Sequence, residues 1–402
     1  MPEVVTIGAI ESRRIFNSHV QPTTEFTVRL SDGAAGRGAS PVGETISIYE
    51  DGAADTDATP VIAAIAGDGL FDRPLDQARF DTYLATRMDD FGRNTCYALS
   101  LAFFEAVRAT DRPGADAPTV ALGEPPATPG DSPHLCLNIL NGGRHAYTNP
   151  ILSDFPEFLL VARSTDLDEV LGAHNELQHA VREALLRLST TVVDRNPVHR
   201  FPAADNRASI EFLLGICDRL GLSGDFDLMI DASAGDLWSD GTYRFELTDR
   251  RARSPEDLCE YWLELVRDYP RLRFLEDPFR ELDTARWTDL TTAQDTCRTI
   301  GDNLYSTSAE RIEEGARRHQ TDGVIIKPNQ AGTVSAARAA IAAARRTGQI
   351  PITSHRSVST ETPFEATLTY EAAVPYIKIG PLLTDYSSVV RLNELIRLTG
   401  SG

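Results

Sequence analysis

The stretch GVIIKPNQAG, residues 323–332, contains a short apolar run that ends at Lys327 and is closed by proline. This pattern is typical of the carboxyl end of a buried β-strand. VPYIKIGP, residues 374–381, repeats the pattern and places Lys378 at the corresponding position. The two stretches therefore predict two buried strands that each end in a lysine.

Four other stretches end in a polar residue in the same way. They are FDLMIDAS ending at Asp231, RFLEDP at Glu276, TIGDN at Asp302 and IPITSHRS at His355. Successive strand ends are 23 to 28 residues apart after a first interval of 45, and helical patterns such as SPEDLCEYWLELVRDY lie between them. This alternation predicts an α/β fold, a (β/α) barrel with its site at the carboxyl ends of the strands. A doubly wound open sheet is the alternative.

The N-terminal part of the chain has a different pattern. IESRRIFN, TEFTVRLSDG and GAAGRGAS predict an antiparallel meander, and helical patterns follow to about residue 110. The segment RPGADAPTVALGEPPATPGDSP is rich in Pro, Gly and Ala and predicts a linker. We expect an α+β capping domain with this linker over residues 1–130 and the barrel over residues 131–402.

The composition argues against several classes of function. The chain has 402 residues and a formal net charge of −20, which disfavours nucleic acid and anionic membranes as partners. No apolar run reaches the length of a membrane span and the N-terminus lacks a signal-peptide pattern, so we expect a cytoplasmic protein. The five cysteines are widely separated and indicate neither a disulfide framework nor a zinc knuckle.

Lysine is almost absent from this chain. Of its 39 lysines and arginines, only Lys327 and Lys378 are lysines. Arginine keeps its proton in proteins, whereas lysine can become neutral and act as a base. Two leftover surface lysines are the alternative, but their position at predicted strand ends favours a catalytic role.

Three predicted strand ends carry the carboxylates of Asp231, Glu276 and Asp302. Carboxylates are the hard oxygen ligands that Mg²⁺ prefers, although any single one could equally be a helix cap or a salt-bridge partner. A divalent cation beside a lysine allows removal of a proton next to a carboxylate, because the cation stabilises the enolate that results. The set therefore predicts a magnesium-assisted proton abstraction.

The sequence resembles the enolase family over nearly the whole chain. The most similar ones are LNILNGGRHA, FLEDPF, IGDNL, IIKPNQAGTV, SHRSVSTE and IKIG. In the N-terminal part, NSHVQPT, PVGETISIYE and FGRNTCYALSLA resemble the family motifs DSRGNPT, PSGASTGxxE and LGANAxLAVSLA. The resemblance implies an enolase-type (β/α)8 barrel with an N-terminal α+β capping domain, a homodimer and a requirement for Mg²⁺.

The resemblance also implies roles for individual residues. Lys327 matches the base at the substrate's α-carbon, and Lys378 matches the lysine near the substrate carboxylate. The further residues that match the catalytic pocket are Glu157, His145 and His355. The residues that match the phosphate-binding positions are Arg356 and Ser357. The implied metal ligands are Asp231, Glu276, Asp302 and, from the lid loop, Thr45.

The chain departs from the family in the part of the site that expels the leaving group. The family motif GDEGGFAP supplies a glutamate for this step, but the corresponding stretch is NPVHRFPA, residues 196–203, which contains no carboxylate. Val198 lies opposite the acid with His199 next to it, and the lid loop gains Glu44. General acid help is worth about 10²- to 10⁴-fold, so its loss predicts a changed substrate.

We therefore expect a small anionic phospho- or phosphono-carboxylate as substrate and an enolpyruvyl product, as in the enolase-like step of phosphonate antibiotic biosynthesis. Two alternatives remain. A glycolytic enolase would need His199, Glu44 or Glu157 to replace the missing acid. A non-catalytic scaffold would tolerate loss of Asp231 or of either lysine.

Overall fold

The N-terminal part of the chain forms an antiparallel sheet that is followed by helices. The structure is a computed structural model that describes residues 4–50, 57–71, 73–110, 132–143, 147–194 and 196–400. The elements of this part are β1 (Ile7–Phe16), β2 (Pro22–Leu30), β3 (Ala35–Ala39), α1 (Ala58–Gly67), α2 (Gln77–Thr86), α3 (Met88–Phe91) and α4 (Arg93–Thr110). The strands pair in the order β1-β2-β3, as the meander pattern predicts.

Helix α4 packs against β3 at very short distance. A Cβ atom on Gly36 would lie 2.0 Å from the backbone nitrogen of Ala106, and one on Gly38 would lie 2.1 Å from the carbonyl oxygen of Ala98. Any larger residue at these positions would push the helix off the sheet. Two of the three glycines of GAAGRGAS, Gly36 and Gly38, are therefore explained by this contact.

The second part of the chain contains the barrel. Its strands are β4 (His134–Asn141), β5 (Glu157–Ala162), β6 (Ser189–Val193), β7 (Asn196–Arg200), β8 (Phe226–Asp231), β9 (Trp238–Ser239), β10 (Thr242–Arg244), β11 (Ala252–Arg253), β12 (Leu272–Glu276), β13 (Arg298–Gly301), β14 (Gly323–Ile326), β15 (Ile350–Ser354) and β16 (Tyr376–Lys378). Eight of them close a barrel in the order β12-β13-β14-β15-β16-β4-β5-β8. The predicted barrel is confirmed, and the open sheet is not formed.

Helices surround the barrel. They are α5 (Leu167–Leu185), α6 (Arg207–Leu220), α7 (Pro255–Asp268), α8 (Thr284–Ala293), α9 (Ala309–Arg317), α10 (Pro328–Ala331), α11 (Val334–Arg346), α12 (Phe364–Glu371) and α13 (Tyr386–Thr399). Helix α7 begins as its sequence predicts, with Ser254 as N-cap in a capping box with Asp257. In the described residues, no helix is both long and apolar enough to span a membrane.

One barrel strand runs against the others. Strand β5 is antiparallel to both of its neighbours, β4 and β8, whereas the remaining neighbours pair in parallel. The first residue of β5, Glu157, therefore pairs with Asp231, the last residue of β8. Reversal of this strand brings its amino end to the mouth of the barrel.

The core has separate layers inside and outside the barrel. The residues that fill the interior are Cys136, Leu159, Val161, Met229, Phe274, Ile300, Ile325 and Ile352. A larger apolar cluster joins the outer faces of the strands to the helices. All five cysteines are buried and free.

The predicted domain boundary near residue 130 and most of the predicted linker fall within residues 111–131, outside the described residues. The division into two domains therefore stays a prediction.

Candidate active site

The side chains at the predicted strand ends meet at the mouth of the barrel. Asp231, Glu276 and Lys378 are the last residues of β8, β12 and β16. Asp302, Lys327 and His355 directly follow β13, β14 and β15. A narrow cavity of about 40 Å³ is lined by five of these six residues, all except Glu276.

Lys378 lies at the centre of a carboxylate cluster. Its Nζ atom is 2.7 Å from Glu276 Oε2, 3.0 Å from Glu157 Oε2 and 3.2 Å from Asp231 Oδ2. Burial alone would lower the pKa of this lysine, but the three carboxylates raise it well above its ordinary value. The ammonium group thus neutralises part of a buried negative cluster.

Lys327 forms an ion pair with Asp302 on the neighbouring strand end. Its backbone nitrogen donates a hydrogen bond of 2.9 Å to Thr307 Oγ1, which in turn donates to Gln330 Oε1 at 2.8 Å. These bonds fix the backbone from which the lysine reaches into the cavity.

The carboxylates are crowded enough to shift their own titration. Burial and then the charge of Asp231 raise the pKa of Glu276 well above its ordinary range. Burial, Asp302 and Asp231 do the same for the pKa of Asp277. Like charges in a buried site disfavour ionisation, so the cluster favours a bound cation.

Two buried carboxylate oxygens indicate where such a cation would bind. Within the described chain, Glu276 Oε1 and Asp302 Oδ1 have no hydrogen-bond partner. Hard oxygen donors with unused lone pairs suit Mg²⁺. The described residues contain no group of three or more acidic, histidine or cysteine side chains already spaced to hold a metal ion. The ammonium groups of Lys327 and Lys378 lie against Asp302 and Glu276. The donor set therefore fits a divalent cation by its chemistry and its unsatisfied oxygens.

Two residues that the sequence analysis missed position this cluster. Asp277 accepts the backbone N–H groups of Asp302 and Asn303 at 2.9 and 2.8 Å. Ser233 donates to Asp231 Oδ1 through both its nitrogen, at 3.1 Å, and its hydroxyl, at 3.0 Å. The only sequence signal was their place one or two residues after a strand-end carboxylate.

His355 and Arg356 are buried beside the lysines. His355 Nδ1 lies 3.1 Å from the carbonyl oxygen of Lys378. Burial first, and then the charges of Arg391 and Lys378, lower the pKa of His355 well below its ordinary value, so the imidazole is neutral. Arg356 Nη1 is 2.8 Å from Glu50 Oε2, an ion pair in which both side chains are almost fully buried.

The lid loop, residues 41–50, closes over the side of the narrow cavity that is lined by Arg356 and Ser357. Glu50 holds Arg356, and the backbone nitrogen of Glu44 donates to Ser357 Oγ at 2.9 Å. Thr45 lines the narrow cavity, and its hydroxyl donates to Asp236 Oδ2 at 3.1 Å. Its role as a metal ligand stays a prediction.

A second cavity of about 810 Å³ adjoins the narrow one. Glu157, His355 and Ser357 line both, so the two spaces share a wall. Glu44 and Tyr147 belong to the wider cavity, and the Tyr147 hydroxyl donates to the Glu44 carboxylate.

The segment that replaces the family's acid motif does not reach either space. Val198 is buried, and His199 pairs through its backbone with residues 150–152 on the far side of β7. Among the described residues that line the two cavities, neither is present. His145 lies outside the described residues, so its place in the pocket is untested.

Comparison with known proteins gives one matching family model and one relative over nearly the whole chain. The family model of the enolase C-terminal TIM barrel domain matches residues 132–401. The chain is also 30% identical over 421 residues to a protein named Enolase from Beutenbergia cavernae, in an alignment that covers 98% of this chain and 94% of that protein.

Proposed function

This chain belongs to the enolase family, and from that premise we propose that it removes the α-proton of a 2-phosphoglycerate-like acid and forms an enolpyruvyl product. We propose further that the substrate is phosphonate-modified, as for a carboxyphosphonoenolpyruvate synthase of phosphonate natural-product biosynthesis. The observation that carries the first proposal is the convergence of both lysines of the chain on one cluster of buried carboxylates.

Each residue has a task in this proposal. Lys327 removes the α-proton, because lysine can exist as a neutral amine. Lys378 binds the substrate carboxylate, and Arg356 with Ser357 binds the phosphoryl or phosphonyl group. The other residues proposed for the pocket are Glu157, His355 and His145.

Asp231, Glu276 and Asp302 would hold Mg²⁺, with Thr45 on the lid as a further oxygen ligand. The ion, when bound, supplies positive charge that stabilises the enolate. The two unsatisfied oxygens of Glu276 and Asp302 support this assignment.

A changed substrate is supported by what surrounds the base. Neither Val198, which lies opposite the family's acid in NPVHRFPA, nor His199 beside it lines the cavities formed by the described residues. The wide cavity beside Ser357 offers space next to the proposed phosphonyl position.

We also propose that the protein is cytoplasmic and that it forms a homodimer. Sedimentation velocity would test whether the dimer forms.

The test is an NMR time course in D₂O with Mg²⁺ and 2-phosphoglycerate. We expect exchange of the C2 proton with little phosphoenolpyruvate, and loss of exchange by at least about 10²-fold in Lys327→Arg. Arg397→Lys, an exposed substitution on α13, is the matched control. Retention of exchange in Lys327→Arg would contradict the assignment of the base.

A glycolytic enolase is the second candidate, and the full-length relative named Enolase favours it. It requires a substitute acid, and of the three candidates Glu44 and Glu157 line the wide cavity whereas His199 does not. Rapid formation of phosphoenolpyruvate that Glu44→Ala abolishes and His199→Ala preserves would support this function over the first.

A further inference from the structure

Arg391, on α13, is a buried arginine close to the catalytic pocket. It is only 1% exposed, and it is not among the described residues that line either cavity of the site. Asp385 Oδ2 lies 3.7 Å from its Nη2 atom, beyond hydrogen-bond distance. Burial of a charge costs free energy unless the charge is hydrogen-bonded, so the bonds that this guanidinium group makes indicate its role.

The guanidinium group of Arg391 bonds to two segments that carry proposed substrate-binding residues. Its Nε atom donates to the carbonyl oxygen of Ile379 at 3.2 Å, one residue after Lys378. Its Nη1 atom donates to Ser359 Oγ at 3.4 Å, and this hydroxyl donates to the carbonyl oxygen of Arg356 at 2.6 Å. One rigid planar group therefore links the segment of Lys378 to the segment of Arg356.

This link lies beyond the point where the barrel ladder ends. Strands β15 and β16 pair as far as Ser354 and Lys378. The nitrogen of His355 then donates to the carbonyl oxygen of Lys378 at 3.2 Å. Arg356 and Ser357 follow this bond, so strand pairing alone does not set their distance from Lys378.

The cap fixes the backbone around Ser359 independently of Arg391. The nitrogen of Ser359 donates to Ser18 Oγ at 3.0 Å, and the nitrogen of Ser18 donates to the carbonyl oxygen of Ser359 at 2.8 Å. Val42 and Val358 exchange two backbone hydrogen bonds of 3.0 and 3.1 Å. Removal of the Ser359 hydroxyl would therefore leave the segment in place but break its link to Arg391.

We infer that Arg391 is a positioning residue that sets the spacing between the carboxylate-binding and the phosphoryl-binding ends of the site, and that it thereby selects acids with the phosphoryl or phosphonyl group on the C2 oxygen. The inference rests on the proposed function, because it takes Lys378 to bind the carboxylate and Arg356 with Ser357 to bind the phosphoryl or phosphonyl group. An acid with this group one carbon further from its carboxylate would not fit both ends at once.

The test compares 2-phosphoglycerate with 3-phosphoglycerate, which have the same composition and charge and differ in the carbon that carries the phosphoryl group. Their dissociation constants are measured by calorimetry on the full chain with Mg²⁺. We expect the wild type to bind 2-phosphoglycerate at least about tenfold more tightly than 3-phosphoglycerate. The ratio of the two constants reports on the spacing, because a merely structural defect would weaken the binding of both isomers alike.

Two variants break the link. Ser359→Ala removes the hydroxyl between Arg391 and Arg356 and keeps the backbone bonds to Ser18. Arg391→Lys keeps the positive charge, but an ammonium group lacks the planar fork that reaches both segments. We expect each variant to reduce the preference for 2-phosphoglycerate at least about fivefold. Ser359→Ala decides if the buried Arg391→Lys does not fold.

Ser388→Ala is the matched control. The Ser388 hydroxyl accepts from Arg391 Nη2 at 3.2 Å, and Ser387 Oγ accepts from the same atom at 3.3 Å. The control therefore removes one buried hydroxyl at Arg391, as Ser359→Ala does, but leaves both bonds of the link intact. Its preference for 2-phosphoglycerate should equal that of the wild type. A loss as large as that of Ser359→Ala would contradict the role given to the Ser359 link.

The outcomes separate the inference from the proposed function. Equal binding of the two isomers by the wild type, or an unchanged preference in Ser359→Ala, would overturn the inference even if exchange of the C2 proton is observed. The expected preferences without any exchange would count against the proposed function and support the inference. Failure of the wild type to bind either isomer would overturn both.

Discussion

Lys378 balances the charge of the carboxylate cluster, because its ammonium group lies within 3.2 Å of Glu157, Asp231 and Glu276. Removal of one partner from a buried ionic cluster costs about 3 to 5 kcal/mol, since the remaining charges stay buried without compensation. We therefore predict that Lys378→Met lowers the free energy of unfolding by that amount in the absence of metal.

Mg²⁺ should restore more stability to Lys378→Met than to the wild type, because the cation would replace the missing positive charge. Urea denaturation with Mg²⁺ and with EDTA measures both effects. Arg397→Met, which removes an exposed cation, serves as the control. An equal response of Lys378→Met and wild type to Mg²⁺ would show that the cation does not replace the charge of Lys378.

A second buried residue gives a pH-dependent prediction. Burial lowers the pKa of His174, on α5, from 6.5 to about 4. The unfolded chain therefore binds a proton at higher pH than the folded chain, and the free energy of unfolding falls as the pH drops from about 6.5 to 4. The contribution of this one group is at most about 3 kcal/mol.

The measurement compares wild type with His174→Gln by urea denaturation between pH 4 and 8. The difference in unfolding free energy should be constant above pH 7 and should shift in favour of the variant below pH 6.5. A difference that is independent of pH would mean that the pKa of His174 does not change when the chain folds.

At the scale of elements, the direction of a single strand separates what the sequence predicts from what it does not. The ends of β8, β12 and β16 could be located at Asp231, Glu276 and Lys378, because apolar runs closed by polar residues mark the carboxyl ends of parallel strands. Glu157 begins its strand, so the same rule would place it at the opposite end of the barrel. Only the antiparallel pairing of β5, which depends on long-range contacts, brings it to the site.

The lid loop is the other element that local patterns did not resolve. Its contact with Arg356 joins residues more than 300 positions apart in the chain, through Glu50 and through the close approach of Gly43. A Cβ atom on Gly43 would lie 1.9 Å from Arg356 Nη2. We predict that Gly43→Ala displaces either the loop or the guanidinium group, because both cannot keep their positions.

The expected result for Gly43→Ala is faster proteolysis within residues 41–50 and an at least about tenfold weaker binding of 2-phosphoglycerate, since a displaced arginine loses its charge-assisted hydrogen bonds. Limited proteolysis and calorimetry measure the two effects. Gly172→Ala on α5, where a Cβ atom meets nothing within 4 Å, is the matched control. Unchanged proteolysis and affinity would mean that the lid does not hold Arg356 for the substrate.

At the scale of the whole molecule, the sequence separated a cap from a barrel, but it did not show how strongly the two are joined. The first two backbone N–H groups of α11, a barrel helix, donate to side chains of the cap, whereas the third, on Ala336, donates to the helix's own N-cap residue, Thr333. Val334 nitrogen donates to Ser100 Oγ at 2.9 Å, and Ser335 nitrogen donates to Asp81 Oδ2 at 2.8 Å. Because Asp81 and Ser100 belong to α2 and α4, the helix is capped in part by side chains from another part of the chain.

We predict that Asp81→Ala uncouples the unfolding of the cap from that of the barrel. Loss of this buried carboxylate leaves the Ser335 nitrogen and the Ser100 hydroxyl without their acceptor, which costs about 2 to 4 kcal/mol.

The three tryptophans lie at 238, 262 and 287, so their fluorescence reports on the barrel alone, whereas far-ultraviolet circular dichroism reports on both parts. In the wild type and in Asp89→Ala, an exposed substitution in α3, the two signals should change together with urea. In Asp81→Ala the dichroism should begin to fall at a lower urea concentration than the fluorescence. Coincident transitions in Asp81→Ala would show instead that apolar packing between α4 and the barrel is sufficient to keep the two parts cooperative.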